Sequence, residues 1–457
     1  MLSQFFWPWI RQRRNAADRR TCWGYTFYLT PEHMTTEEAD RLKQSSDDLA
    51  DRAYPILAEI TSDSSKRSAA LPAVVPETTA QSDVLVEDKV LPPGDSVAHA
   101  DYGKPKVKRD LYALLRDNAA SDPTLNKLWT QVNSVPEWVD WEQIARGQEV
   151  FYRYGGPALM GLAFQSLLGG MGAGRVVETL TRTGGFSTRV ARHRLLETTQ
   201  HILQCTKSLE SLQPGGEGFA SSIRVRLLHA AVRTSIMQLA VENPGYYNVS
   251  ALGIPINDLD CIATIITFSS SLIWISFPRQ GIFISKQEAE DYIALWRYVA
   301  YLTGTPTDCF ETTEKARRAM ETLMLYEVNP TETSKILAHN VIECLALQPP
   351  NYPSREYLEA FARWLNGNAL CDALGIGRPG WYCWSLVAGQ VMFSMWMSYT
   401  TRAFKGVDRR KIASDNVLAR IDSVAELALC GCAAKEFVDL SPIPDLKDRI
   451  TSVILID

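Results

Sequence analysis

From about Asp110 to the end of the chain, apolar residues recur three and four positions apart rather than two, which predicts helix after helix. The breaks fall at short Gly- and Pro-containing stretches: "GG" at 155–156, "TGG" at 183–185, "PGGEG" at 214–218, "NPG" at 243–245 and "QPPNYP" at 348–353. No series of short alternating strands and no internal repeat is visible. The pattern predicts an all-α fold. Upstream, residues 35–60 predict one amphipathic helix, with Thr35 and Thr36 as N-cap candidates ahead of acids in the first turn. Residues 61–109 are rich in Ser, Pro, Asp and Ala without helical period, and predict a mobile linker. The expected organisation is therefore an N-terminal extension over 1–60, the linker, and a helical catalytic domain over 110–457.

Two stretches approach the apolar length of a membrane span, 261–277 and 381–400. Their serines, and a glutamine in the second, predict buried helices for both. The opening "MLSQFFWPWIRQRRNAADRR" puts its aromatic cluster before its arginines, the reverse of a secretory signal. Phe5–Ile10 backed by Arg11, Arg13 and Arg14 suits peripheral contact with a membrane surface. The glycines of "GGMGAG" (169–174) miss the spacing of a nucleotide loop and follow a helical pattern, so they predict close helix contact.

Composition narrows the function classes. At 46% hydrophobic, 22% charged and a net charge of −5, the chain reads as an ordinary globular protein with no basic face for nucleic acid. Nine cysteines with no CxxC pair predict reduced thiols in an intracellular protein. The CxC of Cys430 and Cys432 reads as two helix thiols.

Candidate chemistry centres on "RVRLLHAAVR" (224–233). At about 100° per residue, Ser222, Arg226, His229 and Arg233 share one stripe of a helix flanked by Val225, Val232 and Ile236. A neutral imidazole on such a face can bind a metal, above all iron in a flat macrocycle. Haem suits the apolar surround, and arginines one turn away could pair with its edge carboxylates. The same spacing also fits a core histidine bonded to a carbonyl, with its arginines reaching for solvent. On the preceding helix Arg194, Thr198 and His201 share a face, with Glu197 beside them. Cation, hydroxyl and carboxylate there could line the polar side of an oxygen-binding pocket, or form a solvated face with an Arg–Glu pair.

Five blocks, "VPEWVDWEQIARGQEVFYRYGG", "ETLTRTGGFSTRVARHRLLETTQ", "LQPGGEGFASSIRVRLLHAAVR", "GIPINDLD" and "EDYIALWRYVAYLTG", together resemble the catalytic-domain family of rubber oxygenase, which includes a fungal membrane-bound oxygenase branch. The resemblance covers roughly residues 135–304. It implies a globin-like helical core holding haem b, with His229 as the proximal iron ligand. It implies Arg194 and Thr198 as pocket residues, Glu178 as a base toward an allylic proton, and Arg233 in the haem environment. Arg226, from its place on the His229 stripe, and Glu197, beside Arg194 and Thr198, join the cofactor-binding set. Glu197 stands where the rubber enzyme carries a lysine that caps the iron, so a closed hexacoordinate form is in doubt. The implied activity is oxidation by dioxygen of a hydrophobic, isoprenoid-like small molecule, with cleavage of a C=C bond as the family outcome. A haem-binding sensor or carrier without turnover, and a helical scaffold without cofactor, stay open beside it.

Overall fold

The computed structural model describes residues 16–70, 110–182, 188–348, 351–404, 406–410 and 412. The aromatic–arginine opening at 5–14, the stretch 71–109 and the CxC thiols lie outside these residues. The fold is nearly all helical. Its departure from the expected all-α pattern is a small hairpin in which Arg19–Cys22 pairs antiparallel with Tyr25–Tyr28. Trp23 and Gly24 turn the chain with φ of 50° and 77°, the pair of positive angles that a tight two-residue hairpin requires.

The region 35–60 is two helices rather than one. Thr36–Lys43 starts on a capping box between Thr35 and Glu38, and Asp48–Ala70 follows after a break. The break falls on "QSSDD", whose side chains satisfy backbone and neighbouring groups locally: Asp47 accepts from the Ala50 N–H and Ser46 donates to Asp51. Both helices contribute to the main core, through Ala39, Ala53 and Leu57.

That core is organised around two long helices, Trp141–Arg153 and Lys286–Leu302. Asp140 caps the first and Ser285, in a capping box with Glu288, caps the second. They approach closely at Gly147, where a Cβ would overlap the carbonyl oxygen of Asp291 and sit 2.9 Å from Leu295 Cβ. Trp296, Tyr292 and Tyr298 fill the space beneath. A second core lies between Gly161–Leu168, Glu332–Leu345 and Arg355–Asn366, with Phe164 and Phe361 at its centre, ring centroids 5.1 Å apart. Of the glycines of 169–174, Gly169 meets the Asn366 side chain of the helix Arg355–Asn366 and a Cβ on Gly174 would lie 2.6 Å from the loop carbonyl of Asn329, while Gly170 faces open space.

The two apolar stretches behave differently. Asp258–Phe268 and the π-helical turn Leu272–Ser276 are largely buried. Trp381–Ala403 buries Val387, Val391, Ser398 and Thr401 but leaves its other face open, with Trp381, Met392, Phe393 and Trp396 exposed. The expectation of a buried helix over 381–400 is corrected accordingly. Serines and a glutamine lower hydropathy without saying how many sides of a helix are covered.

Candidate active site

His229 lies midway along Glu217–Glu242, which runs antiparallel to Thr188–Thr206. The two helices can meet closely because Gly218 has no side chain: a Cβ there would lie 2.6 Å from the Gln204 carbonyl oxygen. At this end the contact is sealed. Cys205 Sγ is 3.6 Å from Ser222 Oγ, and His201 Nδ1 is 3.0 Å from Ser221 Oγ. Both His201 and Cys205 are buried, and burial holds the imidazole pKa down at about 4 and pushes the thiol up to about 12.

Two turns further along lie the other candidate residues. At ~1.5 Å per residue, moving from His201 back to Arg194 covers about the same axial length as moving from Ser221 on to His229. Arg194 and Thr198 therefore stand at the level of His229 across the helix pair. Thr198 is exposed, Arg194 half-buried, and His229 partly exposed. Thr199, next in sequence, turns inward and donates to the Leu195 carbonyl. Glu197 lies on the outer side, 39% exposed and 3.6 Å from His193.

The imidazole of His229 is in an unusual state. Its Nδ1 is buried and has no hydrogen-bond partner among the described residues. Burial, followed by the positive charge of Arg233 and by His201, holds its pKa down at about 4. The ring is neutral near pH 7, and a neutral ring keeps a lone pair for a metal. Among the described residues no three His, Cys, Asp or Glu side chains converge on one point. An orphaned buried nitrogen on an uncharged ring fits a single protein donor to a group that brings its own remaining ligands.

The arginines of the stripe are already engaged. Arg226 Nε and Nη2 donate to Asp47 at 2.5 and 2.9 Å, and Nη2 donates to Gln131 at 2.9 Å. Arg233 Nε lies 2.8 Å from both carboxylate oxygens of Asp51, and its Nη1 donates to the Ile256 carbonyl. Both guanidiniums are buried and anchor the helix to the start of Asp48–Ala70. The carboxylates they meet belong to this chain, not to a bound group. The sequence pattern places the acids of 44–51 inside one helix over 35–60, and nothing in their spacing announces arginines some 180 residues away. A polar hollow of about 350 Å³ lies at the Arg226 end, lined by Asp47, Asp48, Gln131, Asp258 and Tyr301. Its carboxylates suit it poorly to an apolar substrate.

Glu178 sits on Gly174–Arg182. Arg182 Nη1 donates to Glu178 Oε2 at 2.7 Å, while Arg182 Nε donates to the Tyr246 carbonyl at 2.7 Å. The guanidinium lies 5.8 and 5.5 Å from the rings of Tyr246 and Tyr247. Tyr247 hydroxyl is 3.2 Å from Thr179 Oγ1, and its ring packs with Val232, Ile236 and Leu228 of the His229 helix. Arg182 and Tyr247, which sequence reasoning missed, thus couple Glu178 to the residue next to His229.

The family described as "ER-bound oxygenase mpaB/B'/Rubber oxygenase, catalytic domain" matches residues 144–396, more than half of the chain and a span that contains Glu178, Arg194, Thr198 and His229. The chain belongs to this family. Rubber oxygenase of Streptomyces sp. (strain K30) is 20% identical over 265 residues, covering 56% of this chain and 61% of the relative. Aurantioclavine synthase cnsA of Penicillium expansum is 64% identical over 33 residues, 7% of each chain. The chain thus spans less than two thirds of either relative. A solved structure of Latex Clearing Protein in the closed state overlaps 73% of this chain and 80% of its own, with a TM-score of 0.48 and 17% identity. Asp47 and Asp51 lie outside the family match.

Proposed function

We infer that the chain is a haem-dependent oxygenase that oxidises a hydrophobic small molecule with dioxygen. The observation that supports this most is the neutral imidazole of His229, its buried Nδ1 unpartnered among the described residues, at the level of Arg194 and Thr198 on the facing helix. Haem b, when bound, supplies the iron chemistry that activates dioxygen. His229 would hold the group through its imidazole. Thr198 would contribute a hydroxyl and Arg194 a permanent positive charge, the kind of groups that stabilise negative charge developing on oxygen. Glu178, oriented by Arg182, accepts a proton from the substrate carbon. The family membership supports dioxygen as oxidant, an isoprenoid-like alkene as substrate with cleavage of its C=C bond, and an intracellular setting at or near the endoplasmic reticulum membrane.

The test is the visible spectrum with iron quantification. Protein produced with haem available shows a Soret band and about one iron per chain, and His229→Ala loses both. A colourless, iron-free preparation that is fully folded overturns the reading. Oxygen uptake with candidate alkenes separates an enzyme from a carrier. Glu178→Gln keeps the Soret band and lowers turnover by ~100-fold, the scale of a lost general base.

A further inference from the structure

We propose that the outward face of Trp381–Ala403 is a lipid-docking face that seats the protein on a bilayer surface carrying anionic headgroups. The proposal is independent of the haem reading. Nine of the sixteen large apolar side chains exposed among the described residues fall between 381 and 407, so they form a patch rather than the usual scatter. Trp381 is 82% exposed, Met392 61%, and Phe393 and Trp396 58% each. From Trp381 to Thr401 the sequence carries no Asp, Glu, Lys or Arg, which leaves an uncharged helix face ~30 Å long.

The inner face is fixed to the protein, so the helix lies along its surface. Val387 and Val391 are buried in the second core, and Trp384 packs on Trp364 with ring centroids 6.2 Å apart. Tyr399 hydroxyl donates to the Gly281 carbonyl and accepts from the Phe283 N–H, both at 3.1 Å, which brings the exposed Phe283 beside the patch. A helix so anchored cannot span a bilayer, but it can rest its outer face in the interface.

Residue type and charge choose lipid over protein. Trp and Tyr dominate the face, the residues whose amphipathic rings settle at headgroup level. A protein partner is met through polar and charged groups around an apolar centre, and the helix itself offers no charged side chain along this length. Cations gather at its C-terminal end instead. Arg402 is held inward by Glu288 and Tyr154, which leaves Lys405, Arg409, Arg410 and Lys411 of the sequence 402–411 against the single acid Asp408. That acid is itself taken inward by Arg153, at 3.1 Å. Arg409 and Arg410 are exposed. An apolar aromatic face with a basic end is the pattern that anionic bilayers attract.

The experiment is co-flotation of the full chain with phosphatidylcholine vesicles, with and without phosphatidylserine. The full chain floats, more strongly with phosphatidylserine. Phe393→Asp combined with Trp396→Asp lowers bound protein by ~10-fold or more, and Ile336→Asp, at an exposed site on another helix, leaves it unchanged. Unaltered circular dichroism shows that the double variant is folded. Three results overturn the proposal. The first is absence of flotation, or flotation that ignores the double substitution. The second is a dimer in buffer that the double substitution splits, which assigns the face to a second copy. The third is photo-cross-linking from position 393 to residues 413–457 without vesicles, which assigns it to the chain's own C-terminal segment.

Discussion

Replacing Asp47 by Ala removes the carboxylate that meets Arg226 in two hydrogen bonds. The guanidinium is 3% exposed and the carboxylate 11%, so solvent screens the pair little. Two unit charges ~3 Å apart attract by about 5 kcal/mol at an effective dielectric constant of ~20. Desolvation offsets much of that, and Gln131 still accepts one bond from Arg226. Stranding a buried cation is the larger effect, and we expect a loss of about 3 kcal/mol. At ~2.1 cal/mol/K per residue, unfolding 457 residues carries an entropy of about 1 kcal/mol/K, so the loss appears as a fall of about 3 °C in Tm. Differential scanning calorimetry measures it. Arg226→Leu added to Asp47→Ala recovers most of the loss, because an apolar side chain replaces the stranded charge. A Tm unchanged in the single variant, or a double variant worse than the single, refutes the reasoning.

Three further outcomes follow from the same geometry. His201 has a folded-state pKa of about 4, below its unfolded value of about 6.5, so the unfolded chain binds the extra proton first. Its contribution to stability is whole above pH ~6.5 and is lost as pH falls toward 4; His201→Gln flattens that part of a denaturation-versus-pH curve, and an unaltered slope excludes the assignment. Gly147→Val drives a side chain into the Asp291 carbonyl and costs about 3 kcal/mol, read as a lower urea midpoint. The thiols of Cys205 and Cys371, buried and pushed up to about 12, stay unlabelled by iodoacetamide near pH 8 until the chain is unfolded.

Much of the scaffold was legible because helices announce themselves locally. Thr35 and Asp140 sit where their side chains cap the following turn, and the apolar period is carried by each segment alone. The break at 44–47 was harder, since it serves a partner elsewhere: Asp47 ends one helix and starts another while holding Arg226. The hairpin was missed because four residues on either side of a Trp–Gly turn are too few for an alternation to register. His229, and Arg194 and Thr198 on the preceding helix, were legible as faces of helices, and the resemblance added Glu178. The occupants of those faces were not, because helical spacing gives direction and says nothing of what arrives there. Tyr247, Arg182 and Asp51 come from distant segments, and the open side of Trp381–Ala403 depends on what fails to cover it.

The clamps on Arg226 and Arg233 bear on how short the protein can be made. A chain trimmed to the family-matched residues 144–396 keeps His229 yet discards Asp47, Asp51 and Gln131. In it Arg226 would lose its carboxylate and amide partners and Arg233 its carboxylate, on either side of the His229 imidazole. Such a fragment is expected to be insoluble or colourless for reasons unrelated to chemistry, and Asp47, Asp51 and Gln131, all ahead of the match, belong to the working unit.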